Sequence, residues 1–163
     1  MSRADVLKSL QKSLAMELTA AHQYQLHAGV LNDWGLDRLG NKMREEMQEE
    51  IGHADEFMNR IIFLKGEPQM VFDKQPKVAA SLQEMFQHDM EDERNAIVFY
   101  TEAARQCGEV GDIGSRMLFE KIAVDEEGHM AWLELQLELI KRIGEPAYVA
   151  KHMSIPGTST TEA

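Results

Sequence analysis

The sequence predicts an all-α protein, an up-down four-helix bundle with one long crossover and a short C-terminal fifth helix. Three observations carry this. Four long stretches place apolar side chains at steps of three and four, and no strand-like alternation competes with them. Turn-forming residues close each stretch. The pattern Glu-x32-Glu-x2-His then occurs twice, as Glu17…Glu50-Ile51-Gly52-His53 and as Glu93…Glu126-Glu127-Gly128-His129.

The first helix is predicted from about Ala4 to Leu31, stopping at Asn32-Asp33-Trp34-Gly35. The second spans about Asp37 to Lys65 and ends at Gly66. Residues 66–80 contain Pro68 and Pro76, which read as an extended crossover. The third helix covers about Leu82 to Cys107, with Gly108 and Gly111 following. Asp112 is suited to cap a fourth, which runs to Ile143 with Gly144 as its stop. Pro146 is placed to start a short fifth helix near Tyr148–His152. Residues 1–153 form one expected domain, and 154–163, rich in Thr, Ser and Gly, an expected disordered tail.

The helical register is a stricter test than the spacing. The first seam reads Leu7, Leu10, Leu14, Glu17, Ala21, Tyr24, Ala28, Leu31, and the second Leu39, Met43, Glu46, Glu50, His53, Phe57, Arg60, Leu64. The third gives Leu82, Phe86, Asp89, Glu93, Ala96, Tyr100, Ala103, and the fourth Phe119, Ile122, Glu126, His129, Leu133, Gln136, Ile140, Ile143. Glu17, Glu50, His53, Glu93, Glu126 and His129 therefore all face inward near mid-helix. Glu fills 19 of 163 positions, so a lone Glu-x-x-His means little. Two copies with the same upstream Glu are another matter.

Four inward carboxylates cannot all stay ionised uncompensated. Moving one such ion into a low-dielectric interior costs on the order of 20 kcal/mol before relaxation. Two divalent cations would balance the four acids, with neutral imidazoles completing the coordination. Oxygen-rich sites with one His per metal suit iron or manganese. The alternative, a metal-free network of Glu–His pairs, buries four acids against at most two cationic imidazoles. Asp125, one turn before His129, and Asp89, one turn before Glu93, are expected to orient those ligands. Tyr24 lies one heptad from Glu17, to hydrogen-bond there, to donate an electron or simply to pack.

Composition narrows the function classes. A chain of 163 residues supports one domain with a substantial core. The net charge of −11 argues against nucleic acid and suits a protein that attracts cations. A single cysteine, Cys107, excludes an internal disulfide and a multi-cysteine metal site. No apolar run is long enough for a membrane span, and Met1-Ser2-Arg3-Ala4-Asp5 lacks the apolar core of a signal peptide, so a cytoplasmic location is expected. His22, His27, His88 and His152 have no partner at ligand spacing and read as surface or packing residues.

At this point the chain resembles a bacterioferritin. The resemblance covers roughly residues 5–150, through Glu17-Leu18-Thr19-Ala20 with Tyr24 and His27-Ala28, Trp34-Gly35-Leu36, Glu50-x-x-His53-Ala54-Asp55, Asp125-Glu126-Glu127-Gly128-His129 and Trp132-Leu133-Glu134. It implies a ferritin-like bundle holding two iron ions per subunit on Glu17, Glu50, His53, Glu93, Glu126 and His129, with Glu50 and Glu126 bridging. It implies Fe(II) oxidation by O2 or hydrogen peroxide and mineral storage in a hollow shell of 24 subunits. The family binds haem through a methionine between the Glu and His of the second helix. Ile51 stands there and cannot ligate iron, so haem is not expected in this homomer, while a shell mixed with a haem-binding paralogue stays open. Glu45 and Glu49 occupy the region where relatives carry ligands for a further iron on the cavity wall, and here they read as a solvated acidic face or as carboxylates that hold a transit iron. A rubrerythrin-like diiron peroxidase or oxidase without storage is the alternative; such proteins usually carry a cysteine-rich electron-transfer domain that one cysteine cannot build, so a separate reductase would supply the electrons. A 12-subunit miniferritin would place its metal between subunits, without a paired Glu-x-x-His in one bundle.

Overall fold

A computed structural model describes residues 2–154, Arg3 by its backbone alone. Five helices follow in order: α1 (Arg3–Asp33), α2 (Asp37–Phe63), α3 (Leu82–Glu109), α4 (Ile113–Ile143) and α5 (Glu145–His152). No strand occurs among the described residues. None of the described helices is long and apolar enough to cross a membrane.

The helix ends follow local chemistry. Ser2 and Asp5 form a reciprocal capping box at α1, the Ser2 hydroxyl accepting from the Asp5 amide and the Asp5 carboxylate from Ser2 N–H at 2.8 Å. Ser81 caps α3, and Asp112 caps α4 by accepting from the Ser115 amide at 3.0 Å. Gly144, at φ +80°, turns the chain from α4 into α5 through a conformation that a side chain would strain, and Pro146 opens the new helix.

α1 pairs with α2 and α3 with α4 as two hairpins. α3 runs antiparallel to α1: His27 meets Asp89, Tyr24 meets Glu93, and Glu17 meets Tyr100. Such pairing requires residues 64–81 to return along the full bundle, and a row of polar side chains on α1 straps them down. Gln11 donates to the Gln69 carbonyl and accepts from its amide, both at 2.8 Å. Thr19 accepts from the Asp73 amide at 2.9 Å, and Gln23 clasps both backbone groups of Lys77 at 2.8 and 2.9 Å. These residues stand one to two turns apart on one face of α1, so an extended chain is satisfied by helix side chains in place of a sheet. Thr19→Val, which keeps the shape and removes the hydroxyl, is expected to cost about 1 kcal/mol in urea unfolding and to speed amide exchange at Asp73.

The apolar core is divided in two by a polar middle layer. Towards one end lie Leu10, Leu14, Phe57, Tyr100 and Phe119, with the Phe57 and Tyr100 rings 5.4 Å apart. Towards the other lie Leu31, Leu39, Met43, Phe86 and Leu133, closed by Tyr148 of α5, whose hydroxyl donates to Gln136 at 2.9 Å. Arg60, predicted on the α2 seam, instead leaves the core edge to pair with Asp112 at 2.6 Å and Ser115 at 2.9 Å. Ser154, the start of the expected tail, donates its amide to Asp37 at 2.8 Å, and the rest of that tail lies outside the described residues.

Candidate metal centre

The polar layer is where the six predicted residues meet. Glu17 comes from α1, Glu50 and His53 from α2, Glu93 from α3, and Glu126 and His129 from α4. All six are buried. His53 Nδ1 lies 3.1 Å from Glu126, 3.2 Å from Glu50 and 3.6 Å from Glu17. His129 Nδ1 lies 2.9 Å from Glu126, 3.0 Å from Glu50 and 3.7 Å from Glu93. Two overlapping groups result, Glu17/Glu50/His53/Glu126 and Glu50/Glu93/Glu126/His129, each with donor atoms within 4.8 Å of one another. Glu50 and Glu126 belong to both.

Hydrogen bonding does not account for this cluster. Glu50 Oε1, both Glu126 oxygens and His129 Nδ1 make no well-directed hydrogen bond among the described residues, although they lie close to opposite charge. Buried polar atoms of this kind are rare without a ligand or ion to complete them. Oxygen and imidazole donors converging on two shared carboxylates fit a pair of hard or borderline divalent cations.

Protons take up the strain meanwhile. Burial, then the charges of Glu126 and Glu50, push Glu17 well above the usual carboxyl range. Burial and the Glu50 charge do the same to Glu93. For His53 and His129 burial works downward, but the carboxylates around each ring outweigh it and hold both imidazoles strongly protonated. Burial alone would raise Glu50, yet contacts with His129 and His53 bring it down to about 2.

The ferritin-like domain family matches residues 7–143. A bacterioferritin of Brucella melitensis is 41% identical over 143 residues, covering 88% of this chain and 89% of the relative. One from Rhodobacter capsulatus is 40% identical over 145 residues, covering 89% and 90%. The chain belongs to the bacterioferritin family. A solved structure of the Rhodobacter capsulatus bacterioferritin, described with a metal-free dinuclear site and haem iron, superposes with a TM-score of 0.92 at 37% identity, covering 96% of this chain and 98% of that one.

Around the six residues, this bacterioferritin departs from the sequence expectations in who supports whom. Asp125 does not orient His129. It lies 3.4 Å from His53 Nε2, because the residue beside Glu126 reaches across from α4 to α2. His129 Nε2 instead faces Glu49 at 2.8 Å and Glu46 at 3.1 Å. Glu45 and Glu49 are both exposed as expected, and Glu49 in addition contacts the His129 ring from that face. Asp89 does not orient Glu93 either. It accepts from His27 Nδ1 at 2.9 Å, and His27 Nε2 in turn meets the Gln23 side-chain amide at 2.8 Å, a buried packing network. Tyr24 donates to Glu93 and not to Glu17, since α1 and α3 are antiparallel neighbours.

Two residues escaped sequence reasoning. Tyr100 donates to Glu17, mirroring Tyr24 on Glu93. The signal was present: Tyr24 follows Glu17 by seven residues and Tyr100 follows Glu93 by seven. Each tyrosine therefore holds the lone Glu of the other hairpin. Glu46, one turn before Glu50, is buried and groups with Glu49 and His129.

Proposed function

We propose that this bacterioferritin binds two Fe(II) ions on Glu17, Glu50, His53, Glu93, Glu126 and His129, oxidises them, and stores the ferric product in a 24-subunit shell. The observation that carries the reading is the pair of overlapping four-residue groups whose shared carboxylates hold buried oxygens without a well-directed hydrogen bond among the described residues. Iron is the substrate, and O2 or hydrogen peroxide accepts the two electrons that two Fe(II) ions release. The chain's own residues supply three things. Glu50 and Glu126 bind both positions, while Glu17 with His53, and Glu93 with His129, complete one position each. Protons on the imidazoles and on Glu17 and Glu93 leave as the cations arrive, which keeps the layer near neutral. Tyr100 and Tyr24 hold Glu17 and Glu93 by hydrogen bonds, which fixes the carboxylate rotamers.

An aerobic Fe(II) titration of the metal-free protein tests this. A fast ferric absorbance phase saturating at two irons per chain, followed by slower uptake of many more without precipitation, is the expected result. No fast phase would overturn the site. Saturation at two with no further uptake would overturn storage, and particle mass reads whether 24 copies assemble.

The relative's haem does not carry over on the same terms. Ile51 is partly exposed on α2 and offers no ligating atom. The purified homomer is expected to lack a haem Soret band, and Ile51→Met to introduce one when haem is supplied. A bis-methionine haem spectrum in the unmutated protein would overturn this.

A further inference from the structure

The metal layer repeats between the two hairpins, and the repeat fails at one place. Glu17 and Glu93 each accept from a tyrosine of the other hairpin. The residue before each shared carboxylate, Glu49 or Asp125, faces Nε2 of the other hairpin's histidine. Four residues before each shared carboxylate the match ends, with Glu46 on α2 against Ile122 on α4, both buried. Glu46 Oε2 lies 3.1 Å from His129 Nε2 and makes no well-directed hydrogen bond among the described residues. Its other oxygen pairs with Lys42, one turn earlier, whose ammonium stands 5.4 Å from the centre of the Trp132 ring. His53 Nε2 has Asp125 at 3.4 Å, a side chain 40% exposed against 4% for Glu46. The rings differ on the metal side as well. His53 Nδ1 hydrogen-bonds Glu50 at 3.2 Å, whereas His129 Nδ1 makes no well-directed hydrogen bond.

We propose that Glu46, held by Lys42, is a positioning residue that makes the two cation positions unequal, so that the Glu93/His129 position fills first and the Glu17/His53 position second. The inference rests on the metal-centre reading above. A ligating imidazole keeps its proton on the nitrogen away from the metal. An acceptor at that proton fixes the tautomer, sets the ring plane and strengthens the lone pair opposite. Glu49 at 2.8 Å and Glu46 at 3.1 Å flank this nitrogen of His129. Glu46 counts for more of the two, because a buried carboxylate is little screened while Glu49 stands in water. Lys42 restrains Glu46 through the oxygen that does not face the ring, at the i, i+4 spacing where helix side chains meet. A cation at His129 therefore meets a ring already in place, with Nδ1 towards Glu50 and Glu126. A cation at His53 has to displace the ring's bond to Glu50, and the acid behind that ring is longer and wetter. Glu46, Glu49 and His129 also form an acid-and-imidazole group of their own, but Lys42 already covers one Glu46 oxygen, so the count stays at two cations per chain.

The test loads crystals of the assembled, metal-free protein with one Co2+ per chain and reads the occupancy of each position from anomalous scattering at the cobalt edge. Visible absorbance titration in solution gives the two stepwise binding constants, and neither readout depends on turnover. In the unmutated protein the Glu93/His129 position is expected to hold at least about fivefold more cobalt than the other. Glu46→Gln, which keeps the side-chain volume and removes the charge, is expected to lower the first constant about tenfold and to even out the occupancies. Particle mass and thermal stability confirm that this variant is folded. Lys42→Met separates orientation from plain charge. Loss of a positive charge alone would tighten cation binding, whereas loss of the restraint on Glu46 is expected to weaken the first constant about threefold. Equal occupancies in the unmutated protein, or more cobalt at His53, would overturn the order of filling. An order unchanged in Glu46→Gln would overturn the role of Glu46, and tighter binding by Lys42→Met would overturn that of Lys42. A third Co2+ on Glu46 and Glu49 would make them ligands and overturn the positioning role. Absence of Co2+ from both positions would overturn the metal centre itself, and this inference with it.

Discussion

Glu126→Ala is expected to abolish the fast phase of Fe(II) oxidation and to leave neither cation position measurably occupied at stoichiometric metal. Glu126 belongs to both four-residue groups, and its oxygens lie 3.1 Å from His53 and 2.9 Å from His129. Removing it takes a ligand from both positions at once and leaves two imidazoles facing a cavity. The loss should exceed about 100-fold, because replacing even a residue that merely supports a metal ligand costs roughly 10–100-fold in affinity or activity. Glu93→Ala provides the contrast. Glu93 belongs to the His129 group alone, so that variant is expected to bind one Co2+ per chain with near-normal affinity and still to oxidise iron poorly. Titration with Co2+ reads zero, one or two ions directly. Two ions bound by Glu126→Ala would show that Glu126 is not shared.

How much of this was legible in the chain depends on whether the deciding contact runs along one helix or between two. The helices, the capping by Asp112 and the stop at Gly144 are local, and period and turn chemistry place them. The six buried residues were legible because two hairpins repeat one spacing, and a 3.6-residue period puts every member on an inward face. The supporting contacts were not. Asp125 on His53, Tyr24 on Glu93 and Tyr100 on Glu17 all cross between helices, and their partners depend on which helices are antiparallel neighbours. Reading each helix alone offers His129 to Asp125 and Glu17 to Tyr24, partners along the same helix. At the start of α1 the seam also drifts, so Val6 is buried and Leu7 only partly so. A straight helix does not hold a strict seven-residue repeat over that length. The straps from Gln11, Thr19 and Gln23 have no signal in the apolar pattern, being polar residues off the seam.

The metal-free protein is expected to lose stability as pH rises from about 6.5, while the Co2+-loaded protein holds it, so the gap between them should widen with pH. The sign follows from which state keeps its protons. His53 and His129 stay protonated in the fold far above their ordinary value of 6.5, so their contribution is complete below that pH and declines as pH climbs towards the folded values. Glu17 and Glu93 act in the same direction from their ordinary 4.5 upward, because burial and neighbouring carboxylates keep them protonated. Glu50 acts oppositely. Its folded value of about 2 means that its contribution is present above about 4.5 and lost only on acidification towards 2. Above pH 6.5 the two imidazoles set the slope, at about 1.4 kcal/mol per pH unit for each proton retained on folding, and the raised Glu17 and Glu93 act in the same direction. Cations replace those protons, so the loaded protein has little left to lose, and saturating metal adds about 4 kcal/mol per site at a thousandfold excess over Kd. Urea unfolding at about pH 6, 7 and 8, with chelator or with Co2+, measures both slopes. A metal-free protein whose stability is flat or rising over that range would mean that the imidazoles are neutral in the fold. The four carboxylates would then need some other compensation than the protons assigned here.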